Sequence, residues 1–196
     1  IWINLGTAFQ QDEQINKAKV AYEKALAINP KSAEISNNLG SIAKDAGDWM
    51  SALQHFEKAL EINPNIAEAH NNLGVTVKEL GRLDEAEASL RQAIVIKPDY
   101  TEAHYNLGFM LQELGRLDEA VASFRQAIVI KPKFFEAHYS LGFTLQELGR
   151  LDEAEASLRQ AIALKPDYTE AHYNLGFTLH ELGRLYEAEA SYTKAI

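Results

Sequence analysis

The chain contains no cysteine, so disulfide frameworks and thiolate metal sites are excluded. Its uninterrupted apolar runs are only a few residues long, too short to span a membrane as a helix. There is no block of basic residues, and the formal net charge is −9. That balance argues against a nucleic-acid backbone as partner. A phosphate loop, a dinucleotide fingerprint and a GxSxG elbow are all missing, which removes the usual nucleotide-binding and hydrolase readings. Compartment stays undetermined, with cytoplasm the weak default. The chain starts IWINLG and stops TKAI, in mid-pattern at both ends, and is read as a piece of a longer protein.

Proline is also scarce, and its placement is the first positive signal. The five prolines, Pro30, Pro64, Pro98, Pro132 and Pro166, are each 34 residues apart. The stretch Gly81 to Phe109, GRLDEAEASLRQAIVIKPDYTEAHYNLGF, returns almost unchanged at Gly149 to Phe177, with a close variant at Gly115 to Phe143. A fixed period of this size marks a repeat array, not a domain with one central core. The expected division is a single array of six copies: 1–32 (an incomplete start), 33–66, 67–100, 101–134, 135–168 and 169–196 (an incomplete end). With 46% hydrophobic residues, the chain can bury a core and is not of disordered composition.

Each period holds two amphipathic helical patterns. In one copy the first runs from Thr101 to Leu114, with Ala103, Leu107, Met110, Leu111 and Leu114 at three- and four-residue steps. The second runs from Asp118 to Ile130, with Ala120, Phe124, Ala127 and Ile128 on one face. Gly115 is placed to take the left-handed conformation that ends a helix. Leu117 followed by Asp118 reads as a hydrophobic residue and an N-cap acceptor. Lys131-Pro132 ends the second helix. For the first helices, Asp99 with Glu102, Asp167 with Glu170 and Asn65 with Glu68 fit capping boxes. Lys31 and Lys133 break that pattern, and Ser32 is a substitute beside Lys31. The first copy has Gln11-Asp12-Glu13-Gln14 where others have glycine, so its turn is expected to be less well formed. Tyr186 replaces Asp in the last copy, with the expected loss of an N-cap.

Three columns recur in register. Gly6, Gly40, Gly74, Gly108, Gly142 and Gly176 form one, and Ala18, Ala52, Ala86, Ala120, Ala154 and Ala188 another. The third holds Tyr22, Phe56, Leu90, Phe124, Leu158 and Tyr192. A glycine inside a helix costs about 1 kcal/mol against alanine, so its recurrence needs a packing reason, and a close helix crossing supplies one. Column by column, with Leu-Gly, Ala, an aromatic or Leu, Ala and then Pro, the chain resembles the tetratricopeptide repeat over its whole length. Its repeats are also similar to those of O-GlcNAc transferases and of bacterial and archaeal scaffolds. The resemblance implies an all-α, right-handed superhelical solenoid of antiparallel helix pairs, with the first helix of each pair lining a concave groove.

Candidate chemistry is sparse. His70, His104, His138 and His172 share one column, but helices roughly 8–10 Å apart cannot bring such rings onto one zinc at about 2.0–2.1 Å. They read as structural histidines. The paired acids sit at helix starts, where the helix dipole favours them, and nothing places two in a shielded pocket. No catalytic residue, cofactor or metal is expected, and the chain is read as not an enzyme.

The groove is the candidate site. The resemblance puts Asn4, Asn38, Asn72, Asn106 and Asn174 on its floor, with Ser140 interrupting. Asparagine offers a donor and an acceptor, so such a row either reads a peptide backbone or links neighbouring helices. Tyr105, Tyr139 and Tyr173 fall just before that column, and Phe109, Phe143 and Phe177 three residues after it. The earlier copies have Asn37, Asn71, Thr7, Ser41 and Val75 in these places. The groove is therefore expected to be polar in its N-terminal half and aromatic in its C-terminal half, with the rings partly exposed instead of packed only on each other. Family members that grip a terminal carboxylate do so with Lys and Arg, whereas the corresponding places here hold glutamates, asparagines and tyrosines. The reading is a protein-interaction scaffold binding an extended peptide, neutral to basic and carrying apolar residues. One alternative is the repeat region of a glycosyltransferase or sulfotransferase whose catalytic domain lies outside this chain. Another is self-association through the array ends or the aromatic groove.

Overall fold

The two periodicities, short turns and proline stops produce helices and nothing else. A computed structural model describes residues 1–196 as twelve α-helices without a strand. They fall into two compact units, Ile1–Pro98 and Asp99–Ile196. The first holds α1 Trp2–Gln11, α2 Ile15–Ile28, α3 Ala33–Asp45, α4 Trp49–Ile62, α5 Ala67–Glu79 and α6 Leu83–Ile96. The second holds α7 Thr101–Glu113, α8 Leu117–Ile130, α9 Phe135–Glu147, α10 Leu151–Leu164, α11 Thr169–Glu181 and α12 Leu185–Lys194. In each unit every odd-numbered helix packs on the even-numbered one after it, and each even-numbered helix packs on the next odd-numbered one. The odd-numbered helices of a unit also touch one another side by side, α3 with α5 in the first and α7 with α9 and α9 with α11 in the second.

Turn chemistry sets the antiparallel pairing. Gly115 has φ 70°, and its N–H donates to Gln112 O at 2.9 Å while Arg116 N–H donates to Leu111 O at 2.9 Å. This double closure ends the helix in a left-handed residue. The first copy achieves the same closure without glycine. Glu13 takes φ 56°, and Gln14 N–H reaches Phe9 O at 2.8 Å. The turn is thus formed, contrary to expectation, and the cost falls on Glu13, whose Cβ is crowded in that conformation. At the other end of each pair, Asn29, Asn63, Lys97, Lys131 and Lys165 are C-caps that leave the helical region. Each directly precedes a proline, whose ring disfavours helical geometry there.

The caps correct the sequence reading. Helices α5, α7 and α11 have Ile66, Tyr100 and Tyr168 as N-caps, with no side-chain cap bond. The boxes at Asn65, Asp99 and Asp167 therefore do not form. Tyr168 shows the reason: its ring packs 4.9 Å from Tyr139 and 5.3 Å from Phe135, so ring packing holds the aromatic at the helix start. Ser32 does cap α3, accepting from Ile35 N at 3.4 Å. Asp118 is not an N-cap either. That place belongs to Arg116, and Asp118 lies in the first turn of α8. Tyr186 likewise loses no cap, because Arg184 stands at the N-cap of α12. Each such arginine pairs with the glutamate three residues on, as in Arg82–Glu85, Arg116–Glu119, Arg150–Glu153 and Arg184–Glu187.

Core packing follows the three columns. A Cβ on Gly108 would stand 2.7 Å from Phe124 Cε1, and one on Gly6 2.6 Å from Tyr22 Cε1. The glycines let the large residue of the second helix lie flat against the first. Ala18, Ala52, Ala86, Ala120, Ala154 and Ala188 are all buried, as close helix approach requires. Ser36 is an exception within this core: its hydroxyl is fully buried without a hydrogen-bond partner.

Candidate functional site

The odd-numbered helices of the second unit present a tyrosine, a polar residue and a phenylalanine at steps of one and three: Tyr105, Asn106 and Phe109 on α7, Tyr139, Ser140 and Phe143 on α9, Tyr173, Asn174 and Phe177 on α11. The phenylalanines lie outward, with Phe109 42% and Phe177 39% exposed, and Phe143 is half-buried. The tyrosines are anchored by further rings. Tyr105 lies 5.7 Å from Phe124 and 5.0 Å from Phe134. Tyr139 packs on Tyr168, and Tyr173 lies 5.6 Å from Tyr192 while remaining 57% exposed. The face thus combines rings packed within the array and rings open to solvent.

Polar residues between the rings tie successive odd-numbered helices together. Asn174 Nδ2 donates to Tyr139 Oη at 3.0 Å, and Tyr105 Oη lies 3.5 Å from Ser140 Oγ. In the first unit Asn72 Nδ2 donates to Ser41 Oγ at 3.4 Å. Asn38 and Asn106 are half-buried in the same column, whereas Asn4 is exposed. The counterparts of the rings in the first unit are Asn37, Ser41, Asn71 and Val75, so its equivalent face carries no aromatic residue there.

Between α7 and α9 lies a groove of about 350 Å³, lined by Phe109, Gln112, Glu113, Tyr139, Ser140 and Phe143. Burial raises the Tyr139 hydroxyl pKa, against the opposing hydrogen bond from Asn174 and with Glu170 and Tyr105 adding to it. Burial, then Tyr139 and the acidic neighbours, pushes Tyr168 up to about 12. Both stay neutral hydroxyls at any physiological pH. Along α7, α9 and α11 the formal charges are Glu102, Glu113, Glu136, Glu147, Glu170 and Glu181, with no lysine or arginine. The arginines of this unit lie on the even-numbered helices and their caps, where Arg125–Glu153, Arg159–Glu187 and Arg184–Glu155 join one repeat to the next. Gln112 was not singled out from sequence; it donates to Glu147 at 3.0 Å on the groove rim. Its signal was the column it shares with Lys44 and Lys78.

The histidine column is used within the turns. Nε2 of His70, His138 and His172 lies 2.9, 3.0 and 2.8 Å from the carbonyl oxygens of Pro64, Pro132 and Pro166. These rings brace the starts of α5, α9 and α11 against the preceding turn. No group of three or more histidine, aspartate or glutamate residues is arranged to hold a metal. No helix is long and apolar enough to cross a membrane.

Known proteins place this architecture. The family model described as the cilia and flagella-associated protein 70 C-terminal domain matches residues 1–196. No curated protein sequence matches the chain. Among solved structures, MamA is 27% identical, covering 80% of this chain and 92% of its own, with a TM-score of 0.75. YrrB, described as a TPR protein with an unusual peptide-binding site, is 25% identical over 90% of this chain and 91% of its own, with a TM-score of 0.76. PilF of Pseudomonas aeruginosa, at 20% identity, covers 97% of this chain and 86% of its own with a TM-score of 0.87, a likeness of fold. These likenesses support a role in protein–protein interaction. With twelve helices in packed antiparallel pairs and a match over its full length, the chain belongs to the tetratricopeptide-repeat family of the cilia and flagella-associated protein 70 C-terminal domain.

Proposed function

We propose that the chain binds an extended segment of a partner protein along the odd-helix face of Asp99–Ile196. The observation that carries this reading is the groove between α7 and α9, where Phe109 and Phe143 stand beside glutamates with no basic residue on the same helices. An aromatic patch open to solvent favours an apolar or amphipathic ligand, and the charge favours a neutral to basic one. Asn174, bonded to Tyr139, holds the rings of α9 and α11 in place beneath such a ligand. The peptide-binding site of YrrB, a structural relative, is consistent with it. On this reading the contribution of these residues is to bind the partner segment.

Selection of binders from a random-peptide display library on the full chain tests the proposal. Phe143→Ala is expected to cost more than about 1 kcal/mol of affinity, as a central interface aromatic does. Val75→Ala, at the equivalent place in the first unit, is expected to cost little. Salt is expected to weaken binding only modestly, since the rings dominate. Equal losses at the two positions, or a loss only at Val75, would place the site elsewhere.

A further inference from the structure

Within the second unit, the trough between α11 and α12 is walled by α10 of the preceding repeat. Leu158 and Ile162 of α10 pack with Leu175 and Leu179 of α11 and Ala188 of α12. Four charges close the same junction: Arg159 lies 3.1 Å from Glu187, and Arg184 2.6 Å from Glu155. A cavity of about 340 Å³ remains between the three helices.

Five 34-residue periods earlier, the same places line an open groove. Trp2, Leu5, Phe9, Lys17, Val20 and Lys24 stand where the cavity has His172, Leu175, Leu179, Glu187, Ala190 and Lys194. This groove measures about 470 Å³ and is lined by α1 and α2 alone. Its floor is apolar, with Val20 48% exposed. Lys17 lies 5.6 Å from the Phe9 ring and donates to Gln14 Oε1 at 2.7 Å, and Lys24 lies 4.7 Å from the Trp2 ring. The rim is therefore basic where the internal junction has Glu187. The helix that fits it must differ from α10 in the same sense. The last helix, α12, does. Ile196 takes the place of Ile162 and is fully exposed. Glu189 takes the place of Glu155, and Thr193 that of Arg159. Helices α6, α8 and α10 would instead set Arg91, Arg125 or Arg159 against Lys17.

We infer that the groove of α1 and α2 receives α12 of a second copy of this chain, so that copies join end to start. Ile196 covers Leu5 and Phe9, as Ile162 covers Leu175 and Leu179 inside the chain. Glu189 meets Lys17, one ion pair in the place of the internal four-charge cluster. The stems of Lys17 and Lys24 cover the aromatic floor while their charges stay at the rim. The two surfaces are different, so each joined pair keeps one free groove and one free α12, and association continues beyond a dimer. Phe109 and Phe143 take no part, which separates this junction from the peptide-binding face.

Sedimentation velocity of the full chain is expected to show a mass that rises above the monomer with concentration. Lys17→Glu sets two carboxylates face to face, and Glu189→Lys two ammonium groups. Each is expected to weaken association about tenfold. Mixed in equal amounts, the two variants are expected to associate as the wild type does, because both junctions then join opposite charges. Ile196→Glu is expected to weaken association about tenfold as well. All three places are exposed, so far-ultraviolet circular dichroism should be unchanged. A chain that sediments as a monomer at every concentration would overturn the second copy as occupant and leave the groove to a helix of another protein. Association that survives both charge reversals, or that Phe143→Ala removes while they do not, would overturn the junction and move the contact to the aromatic face.

Discussion

Gly108→Ala adds one methyl group at a helix crossing, and the structure says where it goes. The new Cβ would stand 2.7 Å from Phe124 Cε1, 2.8 Å from Cδ1 and 3.1 Å from Cγ. Carbon atoms prefer about 3.5–4.0 Å, so either the ring or the helix must move. Phe124 has no room: it is fully buried and packed by Tyr105 at 5.7 Å. Alanine gains about 0.5–1 kcal/mol over glycine in a helix interior. Overpacking costs about 1–3 kcal/mol. The expected result is a net loss of about 1 kcal/mol, measured by urea unfolding followed by far-ultraviolet circular dichroism with an unchanged slope. Phe124→Ala alone should cost about 3–5 kcal/mol. In the double variant the methyl group no longer clashes and partly fills the cavity, so its loss should be about 1 kcal/mol or more below the sum of the singles. A Gly108→Ala chain more stable than wild type by the propensity gain, with additive double-variant behaviour, would refute the account of the glycine column.

Glu13→Gly is expected to stabilise by up to about 1 kcal/mol, because the φ of 56° at that turn suits glycine and strains glutamate; the thermal midpoint checks it. Ser36→Ala is expected to stabilise by about 1 kcal/mol, since it removes a fully buried hydroxyl that has no partner; urea melts read the sign directly. Hydrogen bonds from Arg82, Arg150 and Arg184 hold the carboxyls of Glu85, Glu153 and Glu187 below the ordinary glutamate value. A lowered carboxyl pKa contributes stability that is present above the unfolded value and is lost as pH falls through the folded one. Urea midpoints should therefore decline from just below the ordinary glutamate range downward, and a triple Arg82→Gln, Arg150→Gln, Arg184→Gln chain should decline less steeply.

Much of this protein could be read from the order of its residues. The 34-residue spacing of the prolines, the glycine turn at Gly115 and the recurrence of the glycine column all depend on chain-local rules: backbone φ preference, ring closure at proline, and helical periodicity. Such rules act over a few residues, so sequence alone determined an all-α array of paired helices. What it did not determine was the start of each helix. Asp99, Asp118 and Asp167 carry the right chemistry for a cap, yet aromatic packing at Tyr168 and arginine–glutamate pairing at Arg116 place the start one or two residues away. A capping preference of about 1 kcal/mol is outweighed by the burial of a large ring. The candidate site divides in the same way. The Tyr105, Asn106 and Phe109 pattern and its successors were visible as columns, because they share a helix face. Which side chains bond to a neighbouring helix, as Asn174 does to Tyr139, and that a groove lies beside Ser140 between α7 and α9, required helices at their packed distance. Tertiary structure decided these points, because a space between helices is a property of what two of them fail to fill, and no single stretch of sequence contains it.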